Sequence, residues 1–179
     1  MMMNELISRS SICLSARVWI AAALLYSSSL AAAQSNTVGL RQLIVGGWTL
    51  ESVVVEQGGV RRDPYGPNPK GFASFDVNGN VSYMLMRADL PKISSNNREA
   101  PTPEESRAIA TGALAIYGKY SINEADGLMT LQIDSATFPN WSGAGQKRQI
   151  TIAGDELRVI NPTTALGSGT AYLVWKRAR

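Results

Sequence analysis

The sequence predicts an all-β fold: an eight-stranded antiparallel up-and-down barrel with one short helix between the third and fourth strands. Three observations carry that expectation. Short runs rich in β-branched and aromatic residues recur along the chain, each bounded by Gly, Pro, Asn or Asp. Most linkers between them are too short for the crossover that a parallel neighbour needs. Eight strands joined in hairpin order escape exposed edges by closing on themselves. A two-sheet sandwich is the alternative that the same pattern allows.

The chain has 179 residues. Residues 1–33 read as a cleaved signal peptide: Arg9 and Arg17 precede the apolar run Val18–Leu25, and small residues lead to Ala31-Ala32-Ala33 before Gln34. Tyr26-Ser27-Ser28-Ser29 interrupts the run, so it is short of the roughly 20 apolar residues of a spanning helix. Cleavage after Ala33 would leave no stable membrane anchor, and a secreted or periplasmic protein is expected. Residues 34–45 form a lead-in segment, and residues 46–179 form the barrel domain.

The lead-in places Leu40, Leu43 and Ile44 at the spacing of one amphipathic turn. Strands are then expected at Trp48–Val55, Gly71–Asp76 and Val81–Arg87. The second and third are joined by Asn78-Gly79, a pair that tolerates positive φ at both turn positions. After a polar link, Thr102-Pro103-Glu104-Glu105 supplies a capping box with proline at the first helical position. Ile109, Ala113 and Ile116 would give that helix its apolar stripe. Tyr117–Asn123, Leu128–Ser135, Gln146–Ala153, Glu156–Ile160 and Ala171–Lys176 complete the strands, with turns at Asp126-Gly127 and Gly154-Asp155.

Absent residue types exclude whole classes of chemistry. The chain has no histidine, and its single cysteine, Cys13, lies in the leader. Serine–histidine relays, cysteine nucleophiles, and thiolate or imidazole metal sites therefore have no residues to build them. No disulfide is possible in the processed chain, and no cofactor or metal is expected. Without the leader, 15 basic and 13 acidic side chains leave a net charge of +2, scattered as pairs such as Arg61-Arg62 and Lys147-Arg148. That is no footprint for nucleic acid.

Several segments together resemble the lipocalin-like domain family of bacteria and fungi, a group outside the classical lipocalins. They are Ile44-Val45-Gly46-Gly47-Trp48, Asn68-Pro69-Lys70-Gly71-Phe72, Phe75-Asp76-Val77-Asn78-Gly79, the Thr-Pro-Glu-Glu helix start, Tyr117-Gly118-Lys119-Tyr120, Phe138-Pro139-Asn140-Trp141, Gly154-Asp155-Glu156-Leu157 and Leu173-Val174-Trp175-Lys176-Arg177. They run in order from about residue 40 to 177. The resemblance implies the barrel, with Gly46, Trp48 and Trp175 closing it. It implies no particular activity, because one fold hosts many functions.

Strand alternation sorts the candidate site residues. Arg148, Ile150 and Ile152 share one face of their strand, so Arg148 is expected to point inward. Two roles compete: a brace stacked on Trp48 or Trp175, or an anchor for a ligand carboxylate, which a planar guanidinium suits. The resemblance favours the brace, since lipocalin relatives use an arginine–tryptophan pair structurally. Tyr83, Arg87 and Tyr120 are candidate polar handles on an apolar wall, and Trp141 a candidate rim contact. Asp134, Glu104 and Glu105 read as solvated or capping groups. The expected function is binding of a small hydrophobic or amphipathic molecule inside the barrel. A structural or interaction domain with a filled core is the alternative, ahead of an isomerase or cyclase using the cavity without a metal. The residues favour a protein that is not an enzyme.

Overall fold

A computed structural model describes residues 38–179; the leader reading of residues 1–33 falls outside the described residues. Nine strands form one antiparallel sheet in the order β2-β1-β3-β4-β5-β6-β7-β8-β9. They are β1 Gly46–Gln57, β2 Val60–Arg62, β3 Lys70–Phe75, β4 Asn80–Met86, β5 Ala113–Asn123, β6 Leu128–Ala136, β7 Gly145–Ala153, β8 Glu156–Asn161 and β9 Thr170–Arg177. β1 also pairs with β9, from Trp48↔Arg177 to Glu56↔Thr170, and that pairing closes an eight-stranded barrel. β2 is extra: a three-residue strand that folds back on the end of β1, Val55↔Arg62 to Gln57↔Val60.

Three short helical pieces accompany the sheet: α1 Leu40–Leu43, α2 Pro103–Gly112 and a 3-10 turn, η1, at Pro139–Trp141. α2 starts where its capping box predicts. Thr102 Oγ1 accepts from Glu105 N at 3.2 Å, and Glu105 Oε2 accepts from Thr102 N at 2.8 Å. Its place in the strand order is corrected: it lies between β4 and β5, not between the third and fourth strands, because β2 is an added strand. Its end is corrected too. The helix stops at Gly112, and Ala113 and Ile116 belong to β5, which begins four residues before the expected Tyr117.

Two bulges let the barrel curve. In β1 the register shifts between Leu50 and Ser52, so Trp48 and Leu50 point inward before the slip and Val53 and Val55 after it. Where Tyr117 and Gly118 of β5 face Ser135 and Ile133 of β6, Asp134 is the unpaired extra residue. A Cβ on Gly118 would sit 2.1 Å from the Gln132 carbonyl oxygen, so only glycine permits this approach. The β3–β4 turn also departs from expectation. Only Gly79 takes positive φ, at 83°. Asp76 carries the turn instead, its carboxylate accepting from Asn78 N at 2.8 Å and Asn80 N at 2.7 Å.

The two ends of the barrel differ. α1 lies across one, with Leu40 N and Arg41 N donating to the Glu124 carboxylate at 2.7 and 2.8 Å. Ile44 and Trp48 are fully buried there, and Trp48 Nε1 donates to the Ile44 carbonyl at 2.7 Å. The opposite end is covered by α2, η1, the Tyr65 loop after β2 and the β8–β9 loop, residues 162–169. Among the described residues no helix is long and apolar enough to cross a membrane.

Candidate functional site

The arginine–tryptophan brace exists, but Arg177 supplies the arginine. Its guanidinium carbon lies 4.2 Å from the centre of the Trp48 ring, and its nitrogens donate to Leu43 O at 2.6 Å and Val45 O at 3.2 Å. This stack, near Gly46 at φ 119°, completes the closed end. Arg148 is therefore released from the bracing role on Trp48. It sits deeper, on β7, flanked on the same inward face by Gln146 and Ile150.

Around Arg148 the barrel interior turns polar. Its Nη2 donates to the Tyr83 hydroxyl at 2.7 Å and to Gln146 Oε1 at 2.8 Å. Its guanidinium carbon lies 5.0 Å from the Tyr83 ring centre and 5.8 Å from that of Trp141. Tyr83 in turn meets Trp175 edge-on, with ring centres 6.3 Å apart. Trp141 reaches inward because Pro139 starts η1, and Phe138 packs edge-on against the indole at 5.8 Å.

These side chains frame an inner chamber of about 30 Å³, walled by Val53, Val55, Leu85, Leu114 and Leu173, with Asn161 and Thr164 adding polar atoms. A further space of about 10 Å³ lies below Arg148, against Leu157 and Trp175. Such volumes hold one or two waters, not an organic ligand. A larger vestibule of about 220 Å³ opens outside the chamber, between α2 and Phe138. Tyr65, Leu114, Ala165 and Leu166 line both spaces and so form the partition between them. Burial pushes the Tyr65 hydroxyl up to about 12, with the Tyr83 phenol a lesser cause, so it is a neutral group at the partition.

Of the residues singled out from sequence, Tyr83, Trp141 and Arg148 meet in this chamber, while Arg87 and Tyr120 lie elsewhere. Arg87 leaves the barrel after β4 and pairs with Asp89 through two bonds of 2.8 and 2.7 Å, out in solvent. Tyr120 belongs to the opposite half. It packs edge-on against Phe75 at 5.2 Å, and its hydroxyl donates to the Asp76 carbonyl at 2.8 Å. Asp134 occupies the β6 bulge, Glu104 is exposed, and Glu105 caps α2 while also accepting from Ser94 N at 2.9 Å. Tyr65, Gln146, Asn161 and Thr164 join the site without having been singled out. Gln146 could have been found, since it lies two residues before Arg148 on the same alternation. Asn161 could have been found as well, since it ends β8 on the alternation of Leu157 and Val159; Tyr65 and Thr164 sit in loops, where no periodicity marks an inward side chain.

Among the described residues, no group of three or more His, Cys, Asp or Glu side chains is placed to hold a metal ion. Comparison with known proteins agrees with the barrel. A 4'-hydroxy-3'-methoxypropiophenone carrier protein of Aspergillus oryzae is 24% identical over 106 residues, covering 54% of this chain and 96% of that protein. The family model for the lipocalin-like domain matches residues 45–178, from the residue before β1 to the one after β9. With that match spanning every strand of the closed barrel, the chain belongs to the lipocalin-like domain family.

Proposed function

We propose that this protein binds a small hydrophobic or amphipathic molecule at the end of the barrel away from α1. One observation carries the reading: five polar side chains, Tyr83, Gln146, Arg148, Asn161 and Thr164, converge inside an otherwise apolar barrel, directly behind a vestibule. A few placed polar groups on an apolar wall are the usual makeup of a ligand pocket. Family membership and the carrier relative support the same reading. The relative's named cargo, a phenolic aryl ketone, is of the amphipathic kind that this wall would accept.

The chamber is narrow, so a ligand must displace the partition. Ala165 and Leu166 are the part of it carried on the β8–β9 loop, which holds Gly167 and Gly169 at positive φ. The competing reading, a filled-core interaction domain, draws on the small inner volume. Native mass spectrometry of protein purified from its source, with a thermal-shift screen of fatty acids and hydrophobic dyes, separates the two. A co-purifying small molecule or a ligand-dependent rise in Tm is expected. A bare mass together with a Tm indifferent to the whole screen would reject binding.

The proposal includes export, from the charge, apolar and small-residue order of residues 1–33. Amino-terminal sequencing of protein recovered outside the cytoplasm should begin at Gln34. Intact Met1 in a membrane fraction would reject cleavage.

A further inference from the structure

We infer that the inner chamber is an anion subsite, in which Arg148 holds the carboxylate of a ligand whose apolar body lies in the vestibule. The inference rests on the binding function proposed above and names the head group that it leaves open. Arg148 is 3% exposed, and among the described residues it is the only charged side chain that is buried. A guanidinium keeps its charge at every physiological pH, so the barrel holds a permanent cation in its interior. Among the described residues no aspartate or glutamate is buried with it, and the ion pairs there all involve other cations.

The two acceptors that Arg148 has are neutral, and both sit on Nη2. Nε is buried and has no acceptor among the described residues. A buried charge is costly to desolvate unless an opposite charge and hydrogen bonds compensate it. Here the hydrogen bonds are incomplete and the opposite charge is missing, which is what an anion-binding site looks like from the protein's side. A core brace would need neither omission, and the fold already has its brace in Arg177 on Trp48.

The surroundings select the anion's shape. The rings of Tyr83 and Trp141 flank the guanidinium and confine it, which favours a flat two-oxygen group able to meet the planar fork. Tyr83 accepts from Arg148, so its own proton is available to donate to the same oxyanion. The walls beyond are apolar, and the way out runs past Leu114 and Leu166 into the vestibule. An acidic head with a compact hydrocarbon or aromatic body fits this order; a zwitterion or a cation does not.

Titration calorimetry with octanoate and its uncharged isostere octanamide, at neutral pH and low ionic strength, tests the inference. Octanoate should bind about tenfold or more tightly than octanamide, as a charge-assisted contact in a buried site requires. Arg148→Met should bring octanoate down to the affinity of octanamide. Tyr83→Phe, which keeps the ring, should weaken octanoate severalfold and leave octanamide unchanged. Lys147→Gln, a charge change on the outer face of the same strand, should preserve the preference. Equal binding of acid and amide by the unmodified protein would overturn the anion subsite while leaving the binding function standing. Binding of neither would overturn the anion subsite and leave the binding function to be decided by the mass-spectrometry and thermal-shift screen. The preference of the unmodified protein and the Tyr83→Phe result decide the matter even where Arg148→Met fails to fold.

Discussion

Arg177 covers the ring of Trp48 at 4.2 Å while its nitrogens tie down the carbonyls of Leu43 and Val45. One side chain from the last strand thus fastens the chain's entry into the first. Trp48 is fully buried, so Trp48→Ala should cost about 3–5 kcal/mol in urea unfolding. Arg177→Met keeps the covering stem and loses the charge contacts, so it should cost about 1–3 kcal/mol. No measurable cost for Arg177→Met would mean that packing of the stem, not the guanidinium, closes this end.

Arg148→Met provides a contrast on the other arginine. Removing an uncompensated buried charge is stabilising, while leaving Tyr83 and Gln146 without their partner is destabilising by about 1–3 kcal/mol each. The two effects oppose, and stability should stay within about 2 kcal/mol of the unmodified protein in urea unfolding. A loss of about 3–5 kcal/mol, the usual result of breaking a compensated buried pair, would make Arg148 a brace after all.

Tyr65 gives a pH dependence with a definite sign. Burial raises its hydroxyl from 10.0 to about 12, so the folded state favours the neutral form. Its contribution is present in full below pH 10 and is lost as pH rises from 10 to about 12, by about 3 kcal/mol. Burial shifts Tyr120 in the same direction. Tyr65→Phe should therefore flatten the alkaline fall in stability without removing it. An identical alkaline profile for the variant would show that Tyr65 ionises freely in the folded protein.

Leu166 lines both the vestibule and the inner chamber, on a loop whose glycines take backbone conformations closed to other residues. Leu166→Ala should speed entry of a fluorescent fatty acid severalfold in stopped-flow mixing, with a smaller change in affinity. An unchanged association rate would place the entry path elsewhere.

The barrel was legible in the sequence because strand alternation and turn residues are local signals. Ile150 and Ile152 alone suffice to turn Arg148 inward, and the capping box marks the start of α2 to the residue. What escaped depends on tertiary context. β2 is three exposed residues, Val60–Arg62, that form a strand only because β3 pairs with β1 no further than Thr49 and leaves them a free edge at Val55–Gln57. α2 ends at Gly112 because Ala113 and its successors pair with Met86 and the rest of β4, and that ladder outweighs helical spacing at Ala113 and Ile116. Arg148 and Arg177 are both far from Trp48 in sequence, so which of them stacks on it is decided by barrel closure, which sets Arg177 opposite Trp48 in the β1–β9 ladder. Tyr65 and Thr164 enter the site from loop positions, which carry no periodicity to read, whereas Asn161 continues the alternation of Leu157 and Val159 one residue past the expected end of its strand.

The most direct test of the account is a nitrogen–proton correlation spectrum of the uniformly labelled protein during titration with octanoate. The Nε–H of Arg148 and the indole N–H of Trp141 should shift together and saturate together, while the indole of Trp48, hydrogen-bonded to Ile44 at the closed end, stays in place. Saturable shifts confined to the outer face of the barrel, with Arg148 and Trp141 unmoved, would contradict a ligand site inside it.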